Sequence, residues 1–328
     1  MIDAVIRGRQ MKPALLLAAL FCVVAPNTWA QGYPSRPVRM IVPFTPGGGT
    51  DIMARVVAAR ASESFGQQIV FDNRPVAGGT IGFETVVRAN PDGYTLVMVN
   101  SNYSATSAIQ KLPYDPVKDI EPIVLIGETG LVLTVHPSMP VKSVKEFIAH
   151  ARTNPGKLNY GSVGNGSLTH LALELLRLET KIDLIHVPYK GGVPALNAVI
   201  GGEVQLTAIG GPATIPHVRA GRLRALGVTT AKRFASLPDV PAIGETVPGY
   251  EANHWYGIWG PKGLPKDIVA RWNKETARVL QTEEMKSRLV GEGLEPAGGL
   301  PEQFLRIIRR DVEKWKRVVK EMKITVSD

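Results

Sequence analysis

Strand-like and helix-like segments alternate along nearly all of this 328-residue chain, which predicts an α/β fold with mostly parallel sheets covered by helices on both faces. Three observations carry that expectation. Short β-branched apolar runs recur between turn signals, amphipathic segments separate them, and two glycine-rich turns sit where a strand hands over to a helix. The length suits two domains of ordinary size rather than one minimal core.

Val38 to Phe44 reads V-R-M-I-V-P-F, a short buried strand. Thr50 to Phe65 carries Ile52, Val56 and Ala59 at helical spacing, and Asp51 in the first turn complements the helix dipole. Gln68 to Asp72 is a second strand. Gly82 to Ala89 is a short helix stopped by Asn90-Pro91-Asp92-Gly93, and Tyr94 to Val99 is a third strand. The pattern then repeats. Ile123 to Val135 is apolar and β-branched, Val144 to Arg152 is helical, Leu158 to Val163 is a strand, and Ser167 to Leu178 is an amphipathic helix. Ile185 to Pro188, Val204 to Ile209 and Leu223 to Val228 read as strands, with short helices at Pro194 to Ile200 and Ala213 to Ala220. The tail holds two long helices, Lys266 to Leu280 and Pro301 to Met322, the second with proline at its first position.

Composition narrows the function classes. Hydrophobic content of 44% and charged content of 20% are globular values and exclude general disorder. A single Cys rules out an internal disulfide, and no Cys/His spacing for structural zinc occurs. The chain opens with Arg7, Arg9 and Lys12, an apolar run from Pro13 to Pro26, and small residues Thr28 and Ala30. This is the layout of a secretory signal peptide, residues 1–30, cut before Gln31. The apolar run is short for a membrane anchor, and bulky Phe21 before Cys22 argues against a lipoprotein. Cleavage removes Cys22 and leaves a thiol-free chain suited to an oxidising compartment. The formal net charge of +9 points to anionic partners. Export and an aromatic content of 6% disfavour nucleic acid among them.

The first glycine-rich turn is Phe44-Thr45-Pro46-Gly47-Gly48-Gly49-Thr50-Asp51, at the carboxyl end of a strand, where open α/β sheets bind ligands. Its glycines allow a close approach, and the following helix adds partial positive charge. Nucleotide readings fail on spacing, because Gly49 is followed by Thr50-Asp51 rather than Lys-Ser/Thr, and Ile52 stands where a dinucleotide fingerprint needs glycine. The second turn, Gly161 to His170, has the same placement and offers Ser162, Asn165, Ser167 and Thr169 as neutral hydrogen-bonding groups. Both turns also admit a purely structural reading, with glycines serving chain geometry and Ser167 acting only as a helix cap. Paired across a cleft, they would clasp a carboxylate without a buried cation.

Catalytic patterns are missing. No serine has glycine at both −2 and +2, no His-Glu-x-x-His occurs, and His136, His150, His170, His186, His217 and His254 are scattered. No cofactor or metal is expected. In the tail, Phe304, Ile308, Val312, Trp315, Val319 and Met322 form an apolar stripe among many Lys and Arg. A membrane-surface helix and a packed helix with a solvated basic face both fit, and the second is the simpler expectation.

At the turns the sequence resembles a known family. Y-P-S-R-P-V-R-M-I-V-P-F-T-P-G-G-G-T-D from Tyr33, D-N-R-P-V-A-G-G-T-I-G from Asp72 and N-P-D-G-Y-T-L from Asn90 are its first motifs. L-P-Y-D-P-V-K-D from Leu112, P-G-K-L-N-Y-G-S-V-G-N-G-S from Pro155, H-V-P-Y-K-G from His186, L-R-A-L-G-V-T-T-A-K-R from Leu223 and L-P-D-V-P-A-I-G-E from Leu237 complete the set. In this order they resemble the Bug/TctC extracytoplasmic solute receptors, which serve tripartite tricarboxylate transporters. The resemblance implies a type II periplasmic-binding-protein fold. Its domain 1 would be residues 31–130 and 254–328, its domain 2 residues 131–253, with the ligand cleft between them. It implies capture of a small organic carboxylate by domain closure and delivery to a membrane permease. A receptor presenting its ligand to a sensor kinase would share that pocket, and a secreted hydrolase is the remaining alternative. The ligand-gripping role carries over to Phe44, Gly48, Gly49, Thr50 and Asp51, and to Ser162, Gly164, Asn165 and Ser167. Asn100, Ser101 and Tyr189 are implied as further lining. Where relatives have an Asp-Asn-type stretch, this chain has Ile209-Gly210-Gly211-Pro212-Ala213-Thr214, so Gly211 is expected near the far end of the ligand. That uncharged segment leaves room for an apolar or aromatic distal group.

Overall fold

The computed structural model describes residues 32–75, 79–291, 293–322 and 324. The expected leader at residues 1–30, and the side chain of Met322, fall outside them. Strand β1 (Val38–Val42) lies between β2 (Ile69–Asn73) and β3 (Thr95–Asn100) and is parallel to both. Helices α1 (Gly49–Phe65) and α2 (Thr80–Val87) make the crossovers, and α3 (Asn102–Ile109) follows β3. Within β1 the side chains alternate as a strand requires. Val38, Met40 and Val42 enter one core with α1, while Ile41 enters the core on the opposite face.

The long strand β4 (Ile120–Val135) joins two sheets. From Ile120 to Gly130 it pairs antiparallel with β9 (Asn253–Pro261), which itself runs antiparallel to β3. From Leu131 onward β4 pairs with β7 (Leu206–Gly210), and from Val132 also with β8 (Arg224–Val228). In this second lobe β5 (Asn159–Ser162) lies between β6 (Ile185–Pro188) and β7, parallel to both. Helices α4 (Val144–Thr153), α5 (Leu168–Thr180), α6 (Gly192–Ile200) and α7 (Gly211–Arg219) flank it. The helix-linked strands are therefore parallel, as the alternation predicts. The antiparallel pairs all involve β4 or β9, which return between lobes without a flanking crossover helix.

The tail crosses back to the first lobe. Helix α8 (Lys266–Leu280) buries Trp272 and Leu280 in the core below α1, α9 (Glu283–Gly291) adds Met285 and Leu289, and β10 (Glu295–Gly298) pairs with β4. Helix α10 (Pro301–Met322) then serves both lobes. Phe304, Ile308 and Val312 pack with Trp255 and Trp259 in the first lobe, whereas Trp315 belongs to the core of the second. Asp311 is buried between these contacts and accepts a 2.7 Å hydrogen bond from Trp255 Nε1–H. The apolar stripe of the tail is thus packed, and Arg306, Arg309, Lys316 and Arg317 are exposed.

Trp315→Ala should lower stability by about 3–5 kcal/mol, because it empties a fully buried indole site that ties the tail to the second lobe. Equilibrium denaturation of the variant against the native chain checks this. A loss below about 1 kcal/mol would mean that the tail contributes little to that lobe.

Candidate functional site

One small cavity of about 40 Å³ lies where the carboxyl ends of the parallel strands from both lobes meet. Five helices begin at its wall. Gly48, Gly49 and Thr50 come from the start of α1, Asn102 from α3, Thr169 from α5, Gly192 from α6 and Gly210 from the cap of α7. Phe44, Asn100, Leu131, Val163, Ile209, His254 and Tyr256 complete the lining. No charged side chain is among these residues. The helix starts supply partial positive charge instead; those of α1, α6 and α7 have no side-chain cap, whereas those of α3 and α5 are closed by Asn100, Asn102 and Ser167.

The α1 start shows how. Gly47 N–H donates to Asp51 Oδ2 (2.9 Å), Gly48 N–H to Thr45 O (3.1 Å), and Ile52 N–H opens the helical ladder on Gly48 O (2.9 Å). Gly49 and Thr50 N–H fall between these and make no hydrogen bond to the backbone of the described residues. Gly48, Gly191 and Gly210, the caps of α1, α6 and α7, have no side-chain oxygen to close their helix starts. Thr50 is held in place by Asn100, whose Nδ2 donates to Thr50 Oγ1 at 2.6 Å. Asn100 Oδ1 accepts from Asn102 N–H (2.9 Å), and Asn102 Oδ1 accepts from Leu168 N–H of α5 (2.8 Å). That last bond ties the first lobe to a helix start in the second.

Phe44, Gly48, Gly49, Thr50 and Asn100 are therefore brought together at the cavity. The other residues expected there are not part of its lining. Asp51 turns back to accept from Gly47 N–H, Arg55 Nε–H (2.9 Å) and Asn73 Nδ2–H (3.1 Å). Burial alone would raise its pKa, but these donors outweigh burial and hold it below the usual carboxylate range. Ser101 is fully buried and bonds His254 Nδ1. Ser162 Oγ meets His186 Nε2 at 2.6 Å and accepts from Gly164 N–H at 3.1 Å. Ser167 caps α5 through His170 N–H (3.2 Å) and donates to Gly164 O (2.6 Å). Asn165 is half-buried outside the lining, Tyr189 packs against Gly161, and Gly211 sits one residue beyond the lining Gly210. From the second turn, only Val163 and Thr169 reach the cavity, and Thr169 Oγ1 is already engaged by Val163 N–H at 2.9 Å.

Two stacked histidines underlie that turn. The rings of His170 and His186 are 4.1 Å apart and nearly parallel, and Gly166 N–H donates to His170 Nδ1 at 3.1 Å. Burial disfavours a charge on either ring, and His186, further opposed by His170, is pushed down to about 4. Both are neutral supports at ordinary pH.

His254 and Tyr256, on alternate positions of β9, are lining residues that motif reasoning did not single out. Their only sequence signal is period-2 spacing beside Trp255 and Trp259. Tyr256 also explains two glycines. A Cβ on Gly49 would lie 2.6 Å from its hydroxyl, and one on Gly210 would lie 2.8 Å away. The ring therefore fits only because both lobes present bare backbone to it.

Comparison with known proteins identifies this architecture. Residues 53–324 match the family model described as tripartite tricarboxylate transporter family receptor. The chain belongs to this family. It is a periplasmic solute-binding receptor, similar to protein BugT of Bordetella pertussis (strain Tohama I) at 34% identity over 91% of this chain and 93% of that one. Among solved structures, R. palustris Rpa4515 with adipate is 38% identical with a TM-score of 0.87, covering 89% of this receptor and 99% of that chain. MatC (Rpa3494) from Rhodopseudomonas palustris with bound malate is 31% identical with a TM-score of 0.83, covering 88% and 100%.

Gly49→Ala should destabilise the receptor by about 1–3 kcal/mol through the clash with the Tyr256 hydroxyl. Tyr256→Phe should return at least half of that loss in the double variant. Denaturation of the four proteins of this cycle gives the coupling directly, and additive losses would show that the two residues do not meet as described.

Proposed function

We propose that this receptor captures a small carboxylate-bearing organic anion between its lobes, residues 31–130 with 254–328 and residues 131–253, and delivers it to a tripartite tricarboxylate-type membrane permease. In this reading residues 1–30 are an export leader removed near Ala30. The protein binds its ligand and leaves it chemically unchanged. The observation that carries the reading is the convergence of five helix starts on one cavity with no charged lining. The dipoles, with the Gly49 and Thr50 N–H groups left free of backbone partners, favour an anion there, and removal of water strengthens each bond they make. The carboxylate would sit against Gly49 and Thr50 N–H and the Thr50 hydroxyl, with Asn100 orienting that hydroxyl. Gly48 and Phe44 shape the approach. Asp51, Ser101, Ser162, Gly164, Asn165 and Ser167 act one layer back, by fixing the turns. The adipate and malate held by two similar solved proteins support a carboxylate as the common element. The absence of cations from the wall supports capture by closure, because neutral donors grip an anion well only once it is enclosed.

A thermal-shift screen of mono-, di- and tricarboxylates tests this. At least one should raise the melting temperature, as a ligand selective for the fold must; saturation at 100 times the Kd corresponds to about 2.7 kcal/mol. Thr50→Ala should weaken that ligand's binding by about 0.5–1.5 kcal/mol. No shift with any carboxylate at millimolar concentration, or turnover of the bound acid, would contradict the proposal.

A further inference from the structure

We infer that His254 selects the group the ligand carries beyond its carboxylate, and that this group is a hydroxyl in preference to a second carboxylate. The inference rests on reading the cleft as a carboxylate site. His254 is buried on β9, its Nδ1 is fixed by the Ser101 hydroxyl, and its ring meets Tyr256 edge-on at 4.8 Å. The ring therefore has one orientation. It lines the cavity next to Gly210, and a Cβ built there would lie 3.4 Å from Nε2. Among the described residues Nε2 has no hydrogen-bond partner.

The side chains of Asn100, Asn102 and Thr169 in the wall are already engaged. Asn100 bonds Thr50 and Asn102, the oxygen of Asn102 takes Leu168 N–H, and Thr169 takes Val163 N–H. A fixed ring nitrogen that faces the cavity with no protein partner is a group a ligand can pair with. The ligand is the group that can meet it.

The chemistry of that partner follows from the surroundings. Leu131, Val163 and Ile209 are apolar, and no Lys or Arg lines the cavity. Enclosure keeps the imidazole uncharged, since burial drives its pKa down to about 3. A second carboxylate would have to shed its water against a neutral ring and aliphatic side chains, which is expensive. A hydroxyl sheds far less hydration. It is also both donor and acceptor, so it pairs with Nε2 whichever imidazole tautomer Ser101 selects.

The test uses matched acids of three to five carbons, each as the unsubstituted acid, its hydroxy acids and the dicarboxylate of equal length. They are titrated calorimetrically into the native receptor, His254→Phe and His254→Gln. The native receptor should bind at least one hydroxy acid about five- to tenfold more tightly than its unsubstituted parent, and more tightly than the dicarboxylate. In His254→Phe that ratio should fall to about one. In His254→Gln, which keeps a polar group near the same place, part of it should remain, and this second variant carries the test if the phenylalanine protein does not fold. A native ratio near one, a preference for the dicarboxylate, or a ratio that survives both substitutions would overturn the inference while leaving the carboxylate site standing. Binding of none of these acids to the native receptor would remove the carboxylate reading itself, and the inference with it.

Discussion

A backbone N–H at the start of a helix has no partner within that helix, and five helices of this chain turn their starts toward one cavity. The rest of the molecule can be understood from that constraint. Parallel strands linked by crossover helices place every helix start at the same edge of a sheet. Two such sheets, joined by β4 and β9, bring two sets of helix starts face to face. The wall needs no buried cation because the polarity is built into the backbone. Glycines at the caps of α1, α6 and α7 keep that backbone bare, and Gly49 and Gly210 do so against the hydroxyl of Tyr256.

Several side chains expected at the ligand hold the shape of the turns around the cavity. Asp51 is the clearest case. An ionised carboxylate pointing into the proposed carboxylate site would repel the ligand, yet here it is turned away, held by Gly47, Arg55 and Asn73, and it fixes the shape of the first turn. Ser162 and Ser167 do the same for the second turn, backed by the stacked pair of His170 and His186. The Ser162–His186 contact has the composition of a nucleophile and its base, but its hydroxyl sits outside the cavity lining and bonds the turn backbone. The two lobes are coupled through Asn102 to Leu168 at the cavity and through Trp315 along the tail helix.

Much of the fold was legible because its signals are local. β-branched runs such as Val38 to Val42 and helix stops such as Asn90 to Gly93 announce themselves over a few residues. Helix α3 did not. Its sequence N-Y-S-A-T-S-A-I holds poor helix formers, and Asn102 to Ser107 are all buried, so no amphipathic stripe marks it. The lining role of His254 and Tyr256 was hidden for a related reason. β9 is buried on both faces from His254 onward, which erases the polar alternation that would assign its residues to a side. The place of the first glycine-rich turn at the cavity was readable because glycine acts through the backbone. The second was harder, because residue types do not reveal that serine and threonine hydroxyls bond one another's turn instead of facing the cleft.

In the proposed function backbone amides, not cationic side chains, hold the anion. Amide-resolved NMR during titration with a carboxylate that raises the melting temperature tests it most directly. The largest downfield displacements should fall at the Gly49 and Thr50 amides, with a response at Gly192 across the cleft. Silence at those three positions, with the response confined to the arginine-lined groove of Arg36, Arg39 and Arg88, would contradict it.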